Sequence, residues 1–386
     1  MPDKIAIILT GNRLALIFEV VIDAMRTLRL LNALLFVGGA VTSAHAEAIC
    51  PPAELFTSVD MKLGDDGRIY VPVKVDQFHK WMMVDTGGFF SVVTTETADQ
   101  LKLPTRHTRF EIIGVSGDST SVAAHTSFSL GNLYANSVDF MVAPDAGGFA
   151  DDVGEVAGIL APNLLHSYDV EIDFANMKFS LYSQDHCDGK AVPWPANTVS
   201  IIPVKLDTSN HITLPVTLDG RNLTAIFDTG AIHTVIDLDL AQSGFGLKPG
   251  DTNTPEMGRL LRSPETKTYF HRFQSLSMDG IVIANPTVRL IPDLMRNKMG
   301  EQNDSMKGGS RLPPPASAKA GFGDLILGMS VLRQWHMYIA YKEQAIYLSP
   351  SPVVISMEPI KVDDQPAAVQ GQQRPMMHGA AGMQPH

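Results

Sequence analysis

Met82-Met83-Val84-Asp85-Thr86-Gly87-Gly88 returns 143 residues later as Ala225-Ile226-Phe227-Asp228-Thr229-Gly230-Ala231. The offset holds on both sides without a gap. Upstream, Val71-Pro72-Val73-Lys74-Val75-Asp76 aligns with Leu214-Pro215-Val216-Thr217-Leu218-Asp219. Downstream, Phe90-Ser91-Val92-Val93 aligns with His233-Thr234-Val235-Ile236. The chain therefore contains an internal duplication. Val71, Val73 and Val75 alternate, as do Leu214, Val216 and Leu218, which predicts a half-buried strand in each copy. Short apolar runs lead into each Asp-Thr-Gly, and short helices are predicted over Thr95 to Leu101 and Asp237 to Ser243.

Later pieces recur as well. Gly131-Asn132-Leu133 heads a strand pair ending at Val138 to Val142, matched by Asp279 to Ile283 and Pro286 to Ile291. Gly158-Ile159-Leu160-Ala161-Pro162 corresponds to Leu325-Ile326-Leu327-Gly328-Met329. Closing hairpins are predicted over Val170 to Leu181 and Met337 to Leu348. One lobe is expected at 50–188 and a second at 200–350, with Pro193 and Pro195 in a linker at 189–199. Residues 298–320 carry Pro313-Pro314-Pro315 and little apolar content, and read as a loop inserted in the second lobe. Residues 351–386, rich in Gln, Gly, Met and Pro, read as a disordered tail.

Bulk composition fits this picture. The chain has 386 residues, 45% of them hydrophobic, enough for two cores or one large one. Its 31 glycines and 25 prolines suit many turns and short strands. The net charge of −11, with no run of Lys and Arg, argues against a nucleic-acid partner.

The N-terminus reads as an export signal over residues 1–46. A basic stretch at Met25-Arg26-Thr27-Leu28-Arg29 precedes an apolar run from Leu30 to Ala40. Ala44-His45-Ala46 supplies the small-x-small pattern that signal peptidase reads. The apolar run is too short for a comfortable bilayer span, so no stable membrane insertion is expected after cleavage. Residues 1–24 fit the signal poorly, and Met25 is the expected translation start. Removal of four basic and three acidic residues leaves the mature chain one unit more negative. The protein is expected to be exported, to the periplasm or beyond.

Asp85 and Asp228 carry the chemistry. One Asp-Thr-Gly also fits a plain turn, with Asp accepting backbone N–H groups and Gly taking an unusual φ. Two copies in the same strand context suggest more. Two carboxylates held a few ångströms apart do not both ionise cheaply, so they share a proton. One then acts as base on a water while the other acts as acid. Gly87 and Gly230 allow close backbone approach to the acids. Thr86 and Thr229 would cross-link the two loops through their hydroxyls.

These motifs resemble the aspartic peptidases, specifically a single-chain tandem of retroviral-type lobes. Asp85-Thr86-Gly87 and Asp228-Thr229-Gly230 match the family's motif, and Ile326-Leu327-Gly328 matches its two-hydrophobics-then-Gly element. The resemblance covers roughly residues 60–350. It implies an all-β fold of two similar β-barrel lobes with a cleft between them. It implies an aspartic-type endopeptidase that activates water between Asp85 and Asp228 and needs no cofactor or metal. The partner would be an extended polypeptide. Gly114, Val115 and Gly117 would belong to a flap over the cleft. Cys50 and Cys187, bracketing the first lobe, are expected to pair as a disulfide, with two unpaired thiols as the bland reading.

The chain departs from the family at three points. Gly88 follows the first motif where Ala, Ser or Thr is usual. Ala161 stands where Gly328 stands in the second copy. No second flap is legible between Pro255 and Met278. Outside the motifs, His233 is read as a strand-edge residue near Asp228, and Trp81 and Trp335 as packing residues. No zinc motif, Gly-x-Ser-x-Gly or phosphate loop is present. Two alternatives stay open: an inactive two-lobed peptide-binding protein of the same fold, and a dimer pairing lobes between chains. The short linker favours pairing within one chain, and hence a monomer.

Overall fold

The computed structural model describes residues 50–113, 119–143, 148–195, 199–208, 210–260, 263–292 and 323–351. The expected export region, the inserted loop at 298–320 and the tail beyond Ser351 lie outside the described residues. So do Gly114, Val115 and Gly117.

The described chain is largely β-sheet with four short helices. Its two halves repeat one arrangement. In the first, Ile69–Val75 and Phe78–Val84 form an antiparallel hairpin. In the second, Ile212–Leu218 and Arg221–Phe227 do the same. The alternating residues face inward: Val71, Val73 and Val75 are buried, as are Leu214, Val216 and Leu218. Burying each such side chain contributes about 1.5–3 kcal/mol. Both hairpins turn on an aspartate at positive φ, Asp76 (54°) and Asp219 (43°), a conformation that Asp tolerates better than bulky residues.

Each hairpin is followed by a crossed element that carries its outgoing strand to the centre of the molecule. Phe78–Val84 runs parallel to Val156–Leu160, which also pairs antiparallel with Val92–Thr94. Arg221–Phe227 runs parallel to Leu325–Leu327, which pairs antiparallel with Val235–Asp237. The short helices follow where expected, over Thr95–Gln100 and Leu238–Phe245. Thr94 and Asp237 cap them by accepting first-turn N–H groups. Among the described residues, no helix is long and apolar enough to cross a membrane.

Beside the sheet within each half stands a third sheet that both halves share. The closing hairpins do not stay within their own halves. Asp169–Asp173 pairs with Trp335–Ala340, in the register Val170 to Ile339. Leu55–Asp60 and Ser200–Pro203 form the outer edges, so one six-stranded sheet draws three strands from each half. The reason lies in the backbone: each hairpin alone leaves an edge of unpaired N–H and C=O groups, and the two edges satisfy each other. One face of this sheet is buried and polar. Trp194 stacks on His336 with ring centroids 3.7 Å apart. Burial pushes the Asp169 carboxyl up, opposed by hydrogen bonds from His186 and Tyr338.

Cys50 and Cys187 form a disulfide, with Cα atoms 5.7 Å apart across 137 residues. It ties the start of the first half to its end. Breaking it with Cys50→Ser, Cys187→Ser or both is expected to lower stability by up to about 4–5 kcal/mol on the chain-entropy model. Urea unfolding monitored by circular dichroism checks this, and unchanged midpoints would show that the bridge constrains little.

Candidate active site

Asp85 and Asp228 each stand one residue beyond the end of a central strand. The Asp85 N–H donates to the Leu160 carbonyl and the Asp228 N–H to the Leu327 carbonyl, both at 3.0 Å. Their carboxylates are held by the turns that follow. Asp85 Oδ1 accepts from the Gly87 N–H at 2.9 Å. Asp228 Oδ1 accepts from the N–H groups of Gly230 (2.9 Å) and Ala231 (3.1 Å).

Four hydrogen bonds join the two turns. Thr86 Oγ1 donates to the Phe227 carbonyl (2.8 Å) and accepts from the Thr229 N–H (3.0 Å). Thr229 Oγ1 donates to the Val84 carbonyl (2.8 Å) and accepts from the Thr86 N–H (3.1 Å). Both threonines are fully buried. Each hydroxyl thus satisfies one donor and one acceptor from the other half, groups that water does not reach.

The glycines explain how closely the halves meet. A Cβ on Gly87 would lie within 2.7 Å of Cγ, Oδ1 and Oδ2 of Asp228. A Cβ on Gly230 would lie equally close to the carboxylate of Asp85. Each carboxylate therefore rests against the opposite half's glycine, and only a residue without a side chain fits there. Gly328 is equally constrained. A Cβ on it would overlap the carbonyls of Ala231 and His233.

Gly88 and Ala161 are two sides of one change. A Cβ on Gly88 would come 3.3 Å from the Ala161 methyl and 3.1 Å from Asp85 Oδ2. In the first half the methyl sits at 161 and is absent at 88. In the second half it sits at Ala231 and is absent at Gly328. The change extends to the next residue. In the second half Met329 donates its N–H to the Ala231 carbonyl at 2.8 Å. Its counterpart, Pro162, has no N–H to give the carbonyl of Gly88. That carbonyl lies 3.2 Å from His211 Nε2.

The other residues singled out from the sequence take varied positions. Trp81 packs in a buried cluster with Tyr70 and Met83, and Trp335 packs against the main core. His233 is buried, its ring edge-on to Phe270 at 5.0 Å. In the first half, Thr105–Ile113 and Ser119–Leu130 pair as a hairpin leading to the expected flap residues, which lie outside the described residues. The second half carries a hairpin that the sequence analysis did not find, Glu256–Leu260 with Ser263–Arg272. Gly258, at positive φ, and shifts of register break its alternation. A cavity of about 560 Å³ at its base is lined by Asn253, Pro255, Phe270 and Arg272. His211 also went unread, because its contact spans 123 residues of sequence.

Two outcomes are expected. Thr229→Val leaves the Thr86 N–H and the Val84 carbonyl without their partner, at a cost of about 2–4 kcal/mol. Thr229→Ser retains most of that stability. Denaturant unfolding of the pair checks this. Gly88→Ala is expected to destabilise by about 1–3 kcal/mol through overpacking, and Ala161→Gly in the same chain to recover about 1 kcal/mol of it. A double-mutant cycle reads the coupling, and additive effects would contradict it.

The aspartyl protease family model matches residues 71–161 and 214–331, one span within each of the two halves just described. A comparison with curated proteins returns no match. Among solved structures, basic 7S globulin from soybean is similar at 9% identity and a TM-score of 0.43, over 77% of this chain and 95% of that one. An aspartic proteinase from Irpex lacteus is similar at 15% identity and a TM-score of 0.42, over 78% and 98%. Both likenesses are too distant to bear on function. The family match spans more than half of the sequence and both Asp-Thr-Gly motifs, and the chain belongs to the aspartyl protease family.

Proposed function

We propose that this protein binds an extended polypeptide between its two halves and hydrolyses it with a water held by Asp85 and Asp228. The observation that carries this reading is the reciprocal seating of each carboxylate on the other half's glycine, locked by Thr86 and Thr229. In the proposed reaction one carboxylate takes a proton from water as its oxygen bonds to the peptide carbonyl carbon. The other, protonated, carboxyl gives its proton to the carbonyl oxygen. The tetrahedral species then collapses: the C–N bond breaks, the leaving amine takes the proton that the first carboxyl received from water, and a hydroxyl of the tetrahedral carbon returns a proton to the second carboxylate, which restores the starting state. The two hairpins, Thr105–Ile113 with Ser119–Leu130 and Glu256–Leu260 with Ser263–Arg272, are candidates to cover the substrate. The disulfide fits an oxidising compartment and so supports the proposed export.

A second reading, binding without turnover, is favoured by the altered contacts around Gly88, Ala161 and Pro162. It keeps the same peptide partner and loses the hydrolytic step.

The test is cleavage of a mixed unfolded-peptide pool by the purified protein from pH 3 to 8, beside Asp85→Asn and Asp228→Asn. Hydrolysis is expected, and each single change is expected to reduce it by about a hundredfold or more. Turnover that survives either change would overturn the two-carboxylate mechanism. A folded wild-type chain that retains peptide without cutting it would establish the second reading.

A further inference from the structure

The carbonyl of Gly88 stands three residues after Asp85, on the loop that carries it. In the second half the equivalent carbonyl, that of Ala231, accepts a backbone hydrogen bond from Met329. In the first half Pro162 occupies the donor's position and has no hydrogen to offer. The donor that replaces it comes from the other half of the molecule.

His211 precedes the strand Ile212–Leu218, and its side chain is almost fully buried. Nε2 lies 3.2 Å from the Gly88 carbonyl. Nδ1 lies 2.9 Å from Asp207 Oδ2. A carbonyl only accepts, so the ring meets Gly88 as a donor through Nε2, with Nδ1 set against the Asp207 carboxylate. Asp207 fixes the histidine a second time, since its Oδ1 accepts the His211 N–H at 3.0 Å. The backbone closes the same turn, with the Asp207 N–H donating to the His211 carbonyl at 3.1 Å. Phe89, next to Gly88, meets the imidazole edge-on at 4.5 Å. The ring is thus held on three sides and aimed at one backbone oxygen of the opposite half. The duplication places Arg68 at the equivalent point of the first half, before Ile69–Val75. Arg68 turns to Asp66 and to the Gly148 carbonyl, both in its own half. The crossing contact belongs to His211.

We propose that His211, fixed by Asp207, is a positioning residue for the Asp85 loop, supplying across the halves the hydrogen bond that Pro162 denies it. The proposal rests on the hydrolytic reading for its kinetic consequence and on geometry alone for its structural one. A carboxylate shifted by a fraction of an ångström reacts more slowly while the rest of the cleft still binds peptide.

The test uses His211→Leu, which donates nothing, His211→Gln, whose amide can donate, and His211→Leu with Pro162→Ala, which returns a backbone N–H to the loop. For a cleaved peptide, His211→Leu is expected to lower kcat about ten- to a hundredfold and to leave KM within twofold. His211→Gln is expected to recover much of the loss, and Pro162→Ala to recover it without a histidine. Hydrogen exchange across residues 84–90, followed by mass spectrometry, is expected to speed up in His211→Leu and to return toward wild type in the double variant. If the wild type cuts nothing, the hydrolytic reading fails and exchange alone decides the brace. Unchanged exchange in His211→Leu, or no recovery in the double variant, would overturn it.

Discussion

Two threonine hydroxyls, each donating to and accepting from the opposite half, are the contact on which the rest of the site depends. Thr86 and Thr229 sit where no water reaches, so their four hydrogen bonds have no cheap substitute. They set the distance between the turns. At that distance, glycine is required at 87 and 230, and each carboxylate lies on the backbone of the other half. The strands behind them, Val156–Leu160 and Leu325–Leu327, hold both Asp N–H groups and keep the turns from drifting along the sheet.

The frame around this contact repeats with the same symmetry. Hairpin, crossed strands, short helix and closing hairpin repeat in the same order and register in both halves. The exceptions gather behind Asp85. Alanine stands at 161 where the second half has Gly328, a proline stands where the second half has a donor, and a histidine of the second half lies against the Gly88 carbonyl. Each is minor by itself. Together they replace a support local to one half with a support that spans both.

The duplication was legible because strand alternation and an ungapped offset leave a direct imprint on sequence. The short helices, expected over Thr95 to Leu101 and Asp237 to Ser243, lie at Thr95–Gln100 and Leu238–Phe245. The disulfide followed from two cysteines at the two ends of one half. The shared six-stranded sheet was not legible, since alternation says that Val170, Ile172, Met337 and Ile339 lie in strands but not which edge each strand finds. The second hairpin was hidden by Gly258 and by the run of polar residues Glu265-Thr266-Lys267-Thr268 in its second strand. The role of His211 was hidden for another reason. Proline at 162 is visible, but the orphaned carbonyl it implies belongs to Gly88, and the partner comes from a residue 123 positions away.

The pairing of Val170 with Ile339 joins the halves by backbone, in a different sheet from the strands that lead into the threonines. When two copies of a loop must meet from separate chains, their meeting is a bimolecular event, and its yield falls as the protein is diluted. Here one covalent chain holds both loops, and a continuous sheet presents them to each other. The local concentration of one loop at the other is then fixed by the fold rather than by how much protein the solution contains. Mass action has no purchase on such a junction, which stays assembled wherever a single molecule stays folded.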